Sequence, residues 1–272
     1  MIKKEKNGIV YFEFENIAKT GLVKHCFSSR IGGISKTPYT SMNLAYHMGD
    51  DSPDVDKNFQ LISEAVGFDH KKIVMTDQIH DANIQVVGDD RIEYEDVDSL
   101  VTALPNYVLT SYYADCVPLL FLDPVKKVIA NAHAGWRGTV ADIAGKTLIQ
   151  MSQNFDCRSQ DVLVGIGPSI SMNHFEVGYE VVQLFSHSLS DSEPYIKQKS
   201  DQKWHVDLRE INRKRLLKAG VLAENIEVSD LCTFENPDLF YSHRRDGRKR
   251  GNMAAMIAKV KENHNEKIID CS

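Results

Sequence analysis

Short runs rich in β-branched and aromatic residues recur along the chain with helical patterns set between them, and this interleaving confines it to an α/β or α+β architecture. Strands are predicted at Ile9 to Phe14, Ile73 to Thr76, Asn83 to Val87, Tyr107 to Tyr112, Val117 to Leu122, Val128 to Ala132, Val162 to Ile166, Ile226 to Leu231 and Met253 to Val260. A helix over Val55 to Val66 should end at Gly67, and a second over Thr139 to Asn154 carries apolar Val140, Ile143, Ala144, Leu148 and Met151. Glu176 to Phe185 reads as a third. A fourth begins behind Asp207, a good N-cap, and stops at Gly220. No low-complexity linker or repeat divides the sequence, so residues 1–272 are expected to form a single domain, large enough to bury a core without disulfides.

The charge balance and the cysteines narrow the class further. A net charge of −6 argues against nucleic acid or an anionic membrane as partner, and confines any phosphate site to a local cluster of cations. Five cysteines, odd in number and without a CxxC pair, fit a reducing compartment, and the cytoplasm is expected. The apolar run Gly8 to Phe12 is too short for a signal peptide, and the uncharged stretch Val101 to Ala114 falls short of the roughly 20 residues a membrane span needs. Nucleotide fingerprints are missing too. Gly165-Ile-Gly167-Pro168 follows a strand, but Pro stands where the next helix should present its N–H groups.

Three segments place metal donors beside predicted strands: Gln78-Ile-His80, Ala114-Asp-Cys116-Val-Pro118 and Ala132-His133-Ala-Gly-Trp-Arg-Gly138. Two imidazoles and a thiolate are a catalytic zinc set, three protein ligands with a fourth position left open. His80, Cys116 and His133 are too far apart in sequence for a finger or ribbon, so a structural zinc is not expected. His133 keeps informative company: small residues flank Trp136 and Arg137 in a compact turn that suits close approach of a backbone or anion.

These segments, with Gly165-Ile-Gly-Pro-Ser-Ile170, Phe240-Tyr-Ser-His-Arg-Arg-Asp-Gly247, Phe27-Ser-Ser-Arg-Ile-Gly-Gly33 and Ser41-Met-Asn-Leu44, resemble the blocks of the YfiH/YlmD-like laccase-domain family in order along nearly the whole chain. The resemblance implies an α/β/β/α sandwich of mixed sheets and a zinc ion held by His80, Cys116 and His133. It also implies phosphorolysis of purine nucleosides (adenosine, inosine and methylthioadenosine) to free base and ribose 1-phosphate, with adenosine deamination as a companion activity. The chain departs from the usual blocks at His243, where Tyr or Phe would stand, and in the basic turn Arg248-Lys-Arg250.

On this reading Cys116, His133 and Arg137 are the catalytic candidates. Arg137 with Arg30, Arg244 or Arg245 would seat phosphate through bidentate contacts. Asn43 and Gln78 would hydrogen-bond base or ribose, and Trp136 would stack on the purine or pack in the core. Asp115, beside Cys116, is expected to orient a neighbour or cap a loop rather than bind metal. Alternatives remain open: a Cys116 nucleophile with His133 as base, as in hydrolases or an editing enzyme for cell-wall precursors, or a binding module without turnover. Copper would accept the same donors, but multicopper phenol oxidation needs more imidazoles than 10 dispersed His provide. Monomer and homodimer are both compatible with the sequence.

Overall fold

The computed structural model describes residues 1–88, 91–105 and 107–260. Their strands form three sheets. The largest has seven strands in the order β1 (Ile2–Lys6), β2 (Ile9–Glu13), β3 (Val23–Ser28), β16 (Met253–Lys259), β8 (Val108–Tyr113), β4 (Ile73–Thr76) and β6 (Glu93–Tyr94). The second orders β15 (Ile226–Val228), β11 (Leu163–Ile166), β9 (Val117–Asp123), β10 (Val128–Ala134), β7 (Ser99–Thr102) and β5 (Ile84–Val86). A small third sheet joins β12 (Glu176–Val177), β14 (Lys203–Val206) and β13 (Ile196–Ser200). Helices α1 (Glu15–Ala18), α2 (Ser52–Val66), α3 (Trp136–Val140), α4 (Ile143–Phe155), α5 (Tyr179–Ser188), α6 (Leu208–Lys218) and α7 (His243–Asp246) complete the fold.

The layering follows from side-chain alternation along strands that are buried on both faces. In β9, Leu120 and Leu122 enter the core between the two large sheets, while Leu119 and Phe121 join a cluster with Leu148 and Met151 of α4 and Leu208 and Ile211 of α6. In β16, Met253, Ala255 and Ile257 face the inter-sheet core, and Ala254, Met256 and Ala258 meet Val55, Phe59 and Ile62 of α2. The result is helix, sheet, sheet, helix: the mixed α/β/β/α sandwich expected above. Buried Asn131 ties the sheets together, its Nδ2 donating to the carbonyls of Leu109 (3.1 Å) and Ala255 (2.8 Å) in the opposite sheet.

The predicted elements need two corrections. Thr139 to Asn154 is not one helix: Asp142 takes a left-handed conformation (φ +60°), which ends α3, and its carboxylate then caps α4 by accepting from Gly145 N–H. The predicted helix at Glu176 begins only at Tyr179, because Glu176 and Val177 pair instead with His205 and Trp204. Other boundaries follow local chemistry. Gly67 ends α2 with φ +89°, and Asp207 caps α6 by accepting from Glu210 N–H at 3.1 Å. Cys26, Cys116, Cys157 and Cys232 are free thiols; Cys271 lies outside the described residues. Among the described residues no helix is long and apolar enough to cross a membrane.

Candidate metal centre

Neighbouring strands deliver three of the site's residues to one end of the six-stranded sheet. In the antiparallel β9–β10 pair, Val117 lies opposite Ala134 and Pro118 opposite His133, so Cys116, one residue before β9, faces the end of β10. On the other flank of β10, Ala132 pairs with Ser99, and His133 N–H donates to the Asp98 carbonyl at 2.8 Å, bringing Asp98 alongside. His80 arrives from the loop between β4 and β5, with φ +62°. One donor atom from each of His80, Cys116 and His133 then lies within 4.8 Å of the others. Among the described residues this is the only grouping of three or more His, Cys, Asp or Glu donors.

The trio spans a gradient of exposure, from buried His133 through half-buried Cys116 to solvent-facing His80. The two imidazoles meet edge to face, with ring centroids 4.7 Å apart at 90°. Burial pushes the Cys116 thiol up, but the charge of His133 and hydrogen bonds from His133 and His80 outweigh it and bring it down to about 6. Burial works against the His133 imidazolium, while the Cys116 thiolate and Asp98 raise it to about 9. The pairing thus favours the thiolate over the thiol, the form that a metal ligand or a nucleophile requires.

Gly135 shows that space is kept for an occupant. A Cβ on this residue would stand 3.1 Å from His80 Cδ2, 3.3 Å from Cys116 Sγ and 3.6 Å from His133 Cε1, in the middle of the donors. Its φ of −64° is open to any residue, so the glycine is needed for room rather than for backbone freedom. Two imidazoles, one thiolate and a clear centre fit one zinc ion with an open fourth position.

His80 and Cys116 open into a cavity of about 490 Å³, lined also by Asp115, Trp136, Arg137, Phe175, His243, Arg244 and Arg250. Arg137 projects from α3, its guanidinium carbon 4.3 Å above the Trp136 ring, with no hydrogen bond or ion pair among the described residues. Arg244 stands opposite, over Phe175 at 5.5 Å, and donates to the carbonyls of His174 (3.2 Å) and Glu176 (3.1 Å). Asp115 acts as a loop tie: its carboxylate accepts from Thr233 Oγ1 (2.6 Å), Ser242 Oγ (3.0 Å) and Arg244 N–H (2.7 Å). The strand end bearing Cys116 is thereby joined to the start of α7.

Other predicted site residues are placed elsewhere. Arg30 donates to the carbonyls of Thr40 and Pro237 and stacks on Tyr241. Asn43 is buried against Ala45, Asp50 and Asn252. Gln78 mimics a strand neighbour, donating to the Tyr112 carbonyl (3.0 Å) and accepting from Tyr112 N–H (2.7 Å). Arg245 is bonded to the carbonyls of Thr233, Phe234 and Phe240. None of these four lines the cavity. Sequence reasoning missed Asp98, whose carboxylate sits 2.8 Å from His133 Nδ1, and did not rank Arg250. The one available hint at Asp98 was an acidic residue placed directly before an apolar strand.

Comparison with known proteins agrees with this fold. Residues 24–259 match the family described as multi-copper polyphenol oxidoreductase laccase. A protein of Bacteroides thetaiotaomicron named purine nucleoside phosphorylase is 35% identical over 266 residues, spanning 94% of this chain and 97% of its own. In Bacillus subtilis the protein named purine nucleoside phosphorylase YlmD is 36% identical over 240 residues, or 85% of this chain and 86% of its own. The crystal structure of YlmD from Geobacillus stearothermophilus superposes with a TM-score of 0.89 at 33% identity, covering 95% of this chain and 98% of that one.

Proposed function

Because the chain belongs to the multi-copper polyphenol oxidoreductase laccase family yet gathers donors for a single metal ion among its described residues, we propose that it is a zinc-dependent purine nucleoside phosphorylase. Adenosine, inosine and methylthioadenosine are its proposed substrates, each giving free base and ribose 1-phosphate, with adenosine deamination as a second activity. The observation that carries this reading is the three-donor cluster, two of whose members line one cavity with the Arg137 guanidinium, which makes no hydrogen bond or ion pair among the described residues. The names of the relatives support the same chemistry. Multicopper oxidation would require several imidazole-rich centres, so copper, although it accepts these donors, is not the proposed cofactor.

His80, Cys116 and His133 would hold the zinc, which when bound supplies a Lewis acid and an activated water. Arg137 would receive phosphate on its planar fork, a geometry suited to two parallel N–H···O bonds. Arg244, exposed across the cavity, would add a second cation, and Trp136 and Phe175 offer aromatic faces to the base. Arg30, Asn43 and Gln78 act on this view through the loops they hold rather than on substrate. Residues 1–272 are read as one laccase-type domain of a cytoplasmic enzyme, a reading supported by the seating of β16 between β3 and β8.

The test is to incubate the purified protein with adenosine, with and without phosphate, and to identify products by chromatography. Adenine formed only with phosphate, together with about one zinc per chain, is the expected result. Nucleoside binding without any product would instead support a binding module. The contact between His133 Nδ1 and Asp98 also favours a second reading, a Cys116 nucleophile with an oriented base. That reading requires the Cys116→Ala variant to lose activity while keeping its metal.

A further inference from the structure

We propose that Asp98 is the positioning residue on which both imidazole donors depend, an inference that rests on the metal reading above. Its carboxylate is fully buried, and no Lys or Arg pairs with it among the described residues. A buried carboxylate without such a partner must be satisfied by hydrogen bonds. All four recorded for it go to the site. Oδ1 accepts from His133 Nδ1 at 2.8 Å and from His80 N–H at 3.1 Å; Oδ2 accepts from Ile79 N–H at 3.2 Å and from Asp81 N–H at 2.9 Å.

The two halves of this arrangement do different jobs. The bond to His133 keeps a proton on Nδ1 and leaves Nε2 as the nitrogen free for a metal, fixing tautomer and ring orientation together. The three consecutive N–H groups of residues 79 to 81 converge on the carboxylate as an anion nest. This holds His80 in the left-handed conformation that non-glycine residues seldom adopt. His80 comes from an exposed loop and His133 from a buried strand, and one side chain gives both a common origin. The donor pair is therefore positioned by the protein's own hydrogen bonds.

The experiment measures Zn(II) affinity of the full-length protein by competition with a chromophoric chelator, for the wild type, Asp98→Asn and Asp98→Glu. It also records long-range ¹⁵N–¹H spectra of the zinc-loaded imidazoles. Asp98→Asn should bind zinc about 10–100-fold more weakly, and Asp98→Glu, which keeps the charge, should recover part of that loss. In the wild-type spectrum His133 should carry its proton on Nδ1 and its metal on Nε2, and Asp98→Asn should shift the Nδ1 signal. Wild-type affinity in a folded Asp98→Asn protein, or zinc on Nδ1 of wild-type His133, would overturn the proposal. If Asp98→Asn does not fold, the wild-type spectrum alone decides. A wild type that takes up no zinc would bring down the metal reading itself, whereas unchanged affinity in the variant beside a zinc-binding wild type removes only the role of Asp98.

Discussion

The two ends of the cavity are built on different principles. At the metal end, two donors sit at the ends of adjacent strands, the third is held by backbone N–H groups on a buried carboxylate, and Gly135 keeps the centre clear. At the cationic end, Arg137 and Arg244 reach out from the short helices α3 and α7, both exposed, Arg137 stacked on Trp136 and Arg244 bonded to two backbone carbonyls above Phe175. A metal ion demands fixed donors at fixed distances, and here two candidate donors come from strand ends while the third, on a loop, is fixed by backbone N–H bonds to the Asp98 carboxylate. An arriving anion tolerates adjustment, since a guanidinium can pivot on a ring without losing its stacking. The contrast predicts that changes at the metal end abolish function, whereas changes at the cationic end sort one reaction from another.

The largest effect is expected from Cys116→Ala. Both metal and activity should be lost, by roughly 10³-fold or more in kcat/KM, because two imidazoles alone do not make a three-ligand catalytic site. Metal analysis and steady-state kinetics on the same preparation check this, and retained zinc would favour the nucleophile. Gly135→Ala comes next. Its backbone is unstrained, so thermal stability should stay within a few degrees while zinc content falls well below one per chain, the new methyl standing among the donors. Full zinc occupancy in this variant would mean that the centre between the donors is not where the ion sits.

At the cationic end, Arg137→Lys keeps the charge but loses the fork. Phosphorolysis should drop about 10- to 100-fold while zinc content and deamination are largely kept, as expected for loss of a charge-assisted bidentate contact of about 1.5–3 kcal/mol. Equal loss of both reactions would give Arg137 a structural role and remove the proposed division between the two ends.

A last test separates acid sensitivity of the fold from that of the site. His25 is buried, accepts a hydrogen bond from Phe14 N–H, and is held by burial at about 4, against an ordinary value of 6.5. The unfolded chain therefore binds the extra proton first. Stability conferred by neutral His25 is intact above pH 6.5 and is lost as pH falls toward 4, reaching about 3 kcal/mol by pH 4. A His25→Gln variant should show a flatter dependence of chemical-denaturation midpoints between pH 4 and 6.5 than the wild type. Identical slopes would assign the acid sensitivity to other groups.

The donor trio stood out in the sequence more plainly than the cationic end, for a physical reason. Two imidazoles and a thiolate beside apolar strands have few uses together, and neighbouring strand ends were a natural place for them to meet. Guanidinium and amide groups bond a backbone carbonyl as readily as a substrate. Nothing local therefore distinguishes Arg137, which makes no hydrogen bond among the described residues, from Arg30, which is bonded to Thr40 and Pro237, or from Arg245, which is folded into its own loop. Asp98 was hidden because its partners are mostly backbone N–H groups, which carry no side-chain signature. Strands rich in polar residues were missed similarly: β1 is Ile-Lys-Lys-Glu-Lys, an edge strand with a single apolar residue, and β13 lies in the small exposed sheet. Asp142 and Gly178 mark helix boundaries that an apolar pattern alone runs through.

The seating of β16 between β3 and β8 has a consequence for biosynthesis. During translation β3 and β8 are made long before Met253–Lys259, and in the finished sheet each pairs with β16, not with the other. Until that segment leaves the ribosome, both strands present unsatisfied N–H and C=O groups along edges that are almost wholly buried in the finished fold. Pairing over such long sequence separations, as between Cys26 and Met256, is slow, so the nascent chain passes through an interval in which self-association competes with closure. Overexpression at lowered temperature, or with holdase chaperones in supply, should raise the soluble yield more for this topology than for a sheet whose central strands are consecutive.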